Sequence, residues 1–73
     1  MPEDVKAQIT GTVWKIVVKT GDEVDDGDDL IILESMKMEI PVESPVDGTV
    51  VELLVAEGDS VDEDQVLCRI EED

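Results

Sequence analysis

Gly11-Thr12-Val13-Trp14-Lys15-Ile16-Val17-Val18-Lys19-Thr20-Gly21-Asp22-Glu23-Val24-Asp25 has a counterpart 37 positions on, in Gly48-Thr49-Val50-Val51-Glu52-Leu53-Leu54-Val55-Ala56-Glu57-Gly58-Asp59-Ser60-Val61-Asp62. Turn glycines fall on turn glycines, and Val13, Val18 and Val24 fall on Val50, Val55 and Val61. The same shift carries outward, laying Val5 on Val42, Ile9 on Val46, Leu30 on Leu67, Leu33 on Ile70 and Glu34 on Glu71. The chain therefore reads as two copies of one β unit of roughly thirty residues, over about 5–35 and 42–72. Neither copy buries its apolar face alone, so the two must pack on each other. The expectation is a single all-β domain over residues 1–73: a flattened β-barrel or sandwich of two antiparallel sheets, with an internal pseudo-two-fold repeat.

Within the first copy, Val5 to Ile9 reads as a strand and Gly11 to Val18 as a second. Strict alternation would put Trp14, Ile16 and Val18 on one face, with Lys15 and Lys19 on the other. Trp14, the only aromatic residue, is on that pattern expected in the core. Thr20-Gly21-Asp22 marks a turn, where Gly21 supplies the positive φ that other residues resist. Val24 is a brief strand or an extended plug, and Asp25 to Asp29 a second loop. Leu30-Ile31-Ile32-Leu33 is a continuous apolar run, as in a strand covered on both faces. Cys68 aligns with Ile31 and alternates with Val66 and Ile70, which favours buried packing.

The chain of 73 residues holds 21 acids against five bases, a formal net charge of −16. Nucleic-acid binding needs a cationic footprint and is disfavoured. Anionic membrane surfaces repel such a chain, and self-repulsion favours a monomer. One cysteine permits no internal disulfide, and no signal peptide or membrane-length apolar run is present; a cytoplasmic location is expected. With no histidine and one cysteine, a zinc site or a Cys/His catalytic pair is effectively excluded. The acidic loop Asp22–Gly27 suggests calcium, but with Gly27 at the sixth position of an EF-hand pattern the third is Val24 and the twelfth Leu33. No metal and no catalytic residue is expected.

The junction of the copies, 36–41, opens within Glu34-Ser35-Met36-Lys37-Met38-Glu39, where both internal methionines flank one lysine. Residues 30–43 hold no Gly, Asn or Asp, so local rules would run one strand through Lys37. It would be far longer than the usual ~5–6 residues. If the copies pack face to face, the chain must instead reverse near Met36-Lys37. Two large side chains are uncommon at the centre of a tight turn, and such strain is a hint of function.

Here the sequence resembles the biotinyl/lipoyl attachment domains. Gly11-Thr12-Val13, Gly21-Asp22-Glu23-Val24, Gly27, Glu34 to Glu39, Ser44 to Val50 and Gly58 to Val61 carry the likeness. Met-Lys-Met after an acidic residue resembles the biotin subtype; the lipoyl subtype usually carries Asp-Lys-Ala. One departure is Ala7-Gln8-Ile9-Thr10, where members often open with an Ala-Pro-Met-like segment. The resemblance implies a hammerhead-like barrel of two four-stranded sheets with a modified hairpin at about 34–39. Starting at Met1 and ending soon after its last strand, the chain looks like a small free-standing attachment protein.

The resemblance further implies that Lys37 is the covalent attachment point for biotin, with Met36 and Met38 as adaptable apolar contacts. Glu34, Ser35 and Glu39 would be flanking recognition residues. A biotin protein ligase would present biotinyl-adenylate to the amine. The carrier would then shuttle carboxyl-biotin between biotin carboxylase and carboxyltransferase sites, raising effective concentration without itself making bonds. Two alternatives stand beside this. One is a lipoyl carrier, or an acceptor of either cofactor, with lipoate on Lys37. The other is an unmodified acidic β-sandwich adaptor.

Overall fold

The computed structural model of the chain describes residues 2–73. Valine- and isoleucine-rich segments separated by Gly/Asp turns form β1 (Pro2–Lys6), β2 (Gly11–Ile16), β3 (Glu23–Val24) and β4 (Asp29–Ser35). The second copy forms β5 (Met38–Glu43), β6 (Gly48–Leu53), β7 (Ser60–Val61) and β8 (Val66–Glu72). They build two four-stranded antiparallel sheets, ordered β1-β8-β6-β3 and β5-β4-β2-β7. Exchanging each strand for its mate in the other copy converts one order into the other, so the sequence repeat is a pseudo-two-fold of the fold.

The core lies between the sheets. Val13, Leu33, Val50 and Ile70 are fully or almost fully buried, with Leu30, Ile31, Leu67 and Cys68 beside them. Each such Val, Leu or Ile contributes about 1.5–3 kcal/mol by leaving water. The loops are duplicated too. Asp22 accepts the backbone N–H of Lys19 at 3.0 Å, and its mate Asp59 accepts that of Ala56 at 2.9 Å. Asp28 accepts from Asp25 as Gln65 accepts from Asp62. The carboxylates of the first acidic loop thus close its own turns. Gly21 and Gly58 both hold positive φ, at 97° and 93°.

Three expectations change, each for a reason of strand geometry. The first strand is Pro2–Lys6 rather than Val5–Ile9. Its ladder with β8 slips at Val5/Lys6. Ala7 then leaves the ladder to donate to the Gln65 carbonyl and accept from Asp64 N–H. The second strand stops at Ile16, and Trp14 is not in the core: it is 48% exposed. A bulge between Val13 and Lys15 sets Trp14 and Lys15 together against Ile32. Alternation is broken there, so Val13 and Ile16 face the core while Trp14 faces out. The mate bulge falls at Val50/Glu52 and exposes Val51 in the same way. Finally, the Leu30–Leu33 run is not covered on both faces, since Ile32 is only half-buried. A bulge between Asp29 and Ile31 makes Leu30 the extra residue. That is how two consecutive side chains are both buried.

Candidate functional site: the β4–β5 hairpin

β4 and β5 pair without slippage from Ile31↔Val42 to Ser35↔Met38, which leaves Met36 and Lys37 as a two-residue turn. Both are left-handed, with φ of 53° and 65°. That is the type I′ geometry whose twist matches a hairpin and which usually recruits Asn-Gly. The chain reverses where the repeat requires it, although neither residue is one that turn rules would choose. Met36 is 93% and Met38 62% exposed, and Lys37 is exposed.

The residues singled out in the sequence are ordered by this hairpin into distinct positions. Leu33 points into the core, so by alternation Glu34 lies on the outer face of the sheet. Glu39 sits directly opposite it. Ser35 and Met38 form the next pair and take the other face. Like charges directly opposite each other on a sheet are destabilising. The ion pairs among the described residues are those of Arg69 with Asp4 and Glu52, so Glu34, Glu39 and Lys37 form none.

The root of the hairpin is held by close packing. A Cβ added at Gly11 would stand 2.6 Å from the Glu34 carbonyl oxygen, so only glycine lets β2 approach β4 there. An amide-linked cofactor requires one thing of this chain: a primary amine that a partner enzyme can reach. Lys37, exposed and without an ion pair, fits that need. Cys68 does not compete as a nucleophile, because burial pushes its thiol from 9.0 up to about 11. Sequence reasoning missed the bulges and the outward-facing Trp14. The signal available for them was that Val13 and Val50 are identical mates, whereas Trp14 and Val51 are not.

The family model described as biotin-requiring enzyme, the biotin/lipoyl family, matches residues 1–70. The chain belongs to this family. It is 57% identical over 42 residues to the biotinylated protein TB7.3 of Mycobacterium tuberculosis, 58% of this chain and 59% of that protein. It is also 53% identical over 38 residues to the biotin/lipoyl attachment protein of Bacillus subtilis, 52% of each chain. The matched stretch thus spans little more than half the length of these relatives. Among solved structures, the Kluyveromyces lactis urea carboxylase superposes with a TM-score of 0.93 at 35% identity. That match covers 97% of this chain and 6% of the carboxylase. The homologous domain there is a small part of a carboxylase, and biotin with a non-catalytic carrier role, as expected from the sequence, agrees with family membership.

Proposed function

We propose that residues 1–73 act as one carrier domain, with repeat halves at about 5–35 and 42–72, biotinylated on Lys37 at the tip of the 34–39 hairpin. The observation that carries this reading is the exposed, unpaired lysine in a strained two-residue turn on a rigid pair of sheets. A long, straight stem on a protruding turn enters a pocket that a lysine on a strand face would not reach.

In the ligase, Lys37 Nζ attacks the acyl carbon of biotinyl-adenylate. An amide bond forms, AMP leaves, and the amine's proton passes to a base that the ligase supplies. Met36 and Met38 fit an apolar wall beside that pocket, and Ser35, Glu34 and Glu39 set polarity and charge around it. Once bound, biotin supplies the ability to carry a carboxyl group. The chain's part is to hold the tip at a fixed distance from a rigid body, so that a biotin carboxylase site and a carboxyltransferase site are reached in turn. We further propose that the domain is a monomer in the cytoplasm; no helix among the described residues is long and apolar enough to cross a membrane.

Intact mass and peptide mapping of the protein from biotin-replete cells containing a biotin protein ligase test the reading. A biotin adduct on the Lys37 peptide, abolished in Lys37→Arg, is expected; an adduct elsewhere or none at all overturns it. The similarity to a biotin/lipoyl attachment protein favours a second reading in which lipoate occupies the same amine. The two adducts differ in mass.

A further inference from the structure

The two copies differ on the outer faces of the two sheets, and along one row the difference is ordered. On one sheet, Glu52, Arg69 and Asp4 stand in a row across β6, β8 and β1. Arg69 bonds Asp4 at 2.8 Å and Glu52 at 2.6 Å, so this face is self-satisfied and suited to water. The mates of these three residues on the other sheet are Lys15, Ile32 and Pro41, again in one row. Beside Lys15 the bulge turns out Trp14, 48% exposed, where the first sheet has the smaller Val51. One outer face is thus closed by an ion-pair network. Its counterpart presents Trp14, Ile32 and Pro41, with Lys15 as its one charged member. The second face is the one that leads to the hairpin: the next row toward the tip is Glu34 with Glu39.

We infer that the outer face of the β5-β4-β2-β7 sheet, from Trp14 across Ile32 and Pro41 to the Glu34/Glu39 pair, is the docking surface for the biotin protein ligase. This rests on the proposed modification of Lys37. Charge complementarity gives the partner's chemistry: a flat apolar patch bordered by cations. Two carboxylates held opposite each other outside any ion pair are relieved when a partner brings a cation. The chain's own charge of −16 argues against a second copy as the occupant.

Reach selects the ligase over the carboxylase components. An unmodified lysine extends only roughly 6 Å from its Cα by ordinary bond lengths. A ligase active site must therefore come down onto the hairpin and the adjoining sheet. Ile32 lies three residues from Ser35, about 10 Å along a strand, within the footprint of a standard interface. A longer, cofactor-bearing arm makes no such demand on later partners. Trp14, a large residue with a polar edge, is the type that anchors interfaces.

The test measures biotinylation by a bacterial biotin protein ligase with biotin and ATP, varying the intact carrier. Transferring the ion-paired row, as Lys15→Glu, Ile32→Arg and Pro41→Asp together, keeps a surface that the other sheet already tolerates. The expected result is a KM for the carrier raised about 10-fold or more, kcat changed less than about 3-fold, and an unchanged circular dichroism spectrum. Trp14→Ser alone, at a half-exposed position outside the buried core, is expected to raise KM about 3- to 10-fold with an unchanged circular dichroism spectrum. Val51→Ser on the opposite face is expected to leave KM alone. A KM within 2-fold of wild type for both tested-face variants, with wild type labelled on Lys37, overturns the docking surface only. Wild type that is never labelled overturns the underlying reading as well.

Discussion

Replacing Met36-Lys37 by Asn-Gly should make the protein more stable while removing its amine. Both native residues are held left-handed, at φ of 53° and 65°, where an L residue with a Cβ costs about 1–2 kcal/mol. Asparagine tolerates this region and glycine has no Cβ to clash. Met36 is 93% exposed and Lys37 is exposed, so the exchange removes almost no packing. Two terms oppose the gain. Glycine loses more backbone freedom on folding, about 0.5–1 kcal/mol, and the lost cation takes the formal charge from −16 to −17. At ~0.15 M salt, with a Debye length near 8 Å, the second term is the smaller. The net expectation is about 1 kcal/mol, which for a domain of this size raises Tm by roughly 4–8 °C. Thermal melts followed by circular dichroism, with guanidinium titration at fixed temperature, measure it. Lys37→Val, with a branched Cβ in the same conformation, should move Tm the opposite way. An Asn-Gly variant that melts no higher than wild type would refute the claim that the tip is strained for the sake of its amine.

Two further outcomes test the frame behind the tip. A Cβ at Gly48 would collide with the Glu71 carbonyl oxygen and stand 2.9 Å from Ile70 Cγ2. Gly48→Ala must therefore push β6 off β8, at a cost of about 3 kcal/mol or more from overpacking and strained ladder bonds. Denaturant titration should show most of the stability of so small a domain gone; a loss under about 1 kcal/mol would contradict the close approach. Cys68 is kept protonated in the fold up to about pH 11, against 9.0 when exposed, because it is buried. The unfolded chain then releases the proton first, so stability is full below pH 9 and falls as pH rises toward 11. Cys68→Val should lack this component. Identical pH–stability slopes for the two proteins between pH 9 and 11 would show that Cys68 contributes none of it.

Most of the architecture was legible because the chain states its plan twice. The constant shift from Gly11 to Gly48 and from Val24 to Val61 fixed which residues must be equivalent. Equivalence between halves that cannot fold alone leaves little but two sheets face to face. The reversal at Met36-Lys37 was legible for the same global reason, against local turn preference. What alternation could not show was where it breaks. Bulges at Val13/Lys15 and at Asp29/Ile31 each shift the inward face by one residue. A bulge depends on cross-strand pairing rather than on the residue types within one strand. Trp14 was misplaced on that account, and the outer face of its sheet with it. The hairpin's own chemistry was legible in sequence only as composition. That Glu34 and Glu39 lie opposite each other, while Ser35 and Met38 turn to the other side, follows from register.

A duplicated fold also offers an internal control on what each residue is for. Where both copies need the same thing, the mates agree in size and burial: Leu30 with Leu67, Leu33 with Ile70, Val13 with Val50. These residues hold the sheets together and say nothing about function. Where the mates disagree without a packing reason, the difference calls for another cause. Asp64 sits left-handed at φ 70° where its mate Gly27 has 93°, a strain in a remote loop that nothing in the structure explains. Three of the other disagreements, Trp14 against Val51, Ile32 against Arg69 and Pro41 against Asp4, fall together on one outer face. Those three lie on the sheet that carries the Lys37 hairpin, where the mate sheet instead holds the Arg69 ion-pair row.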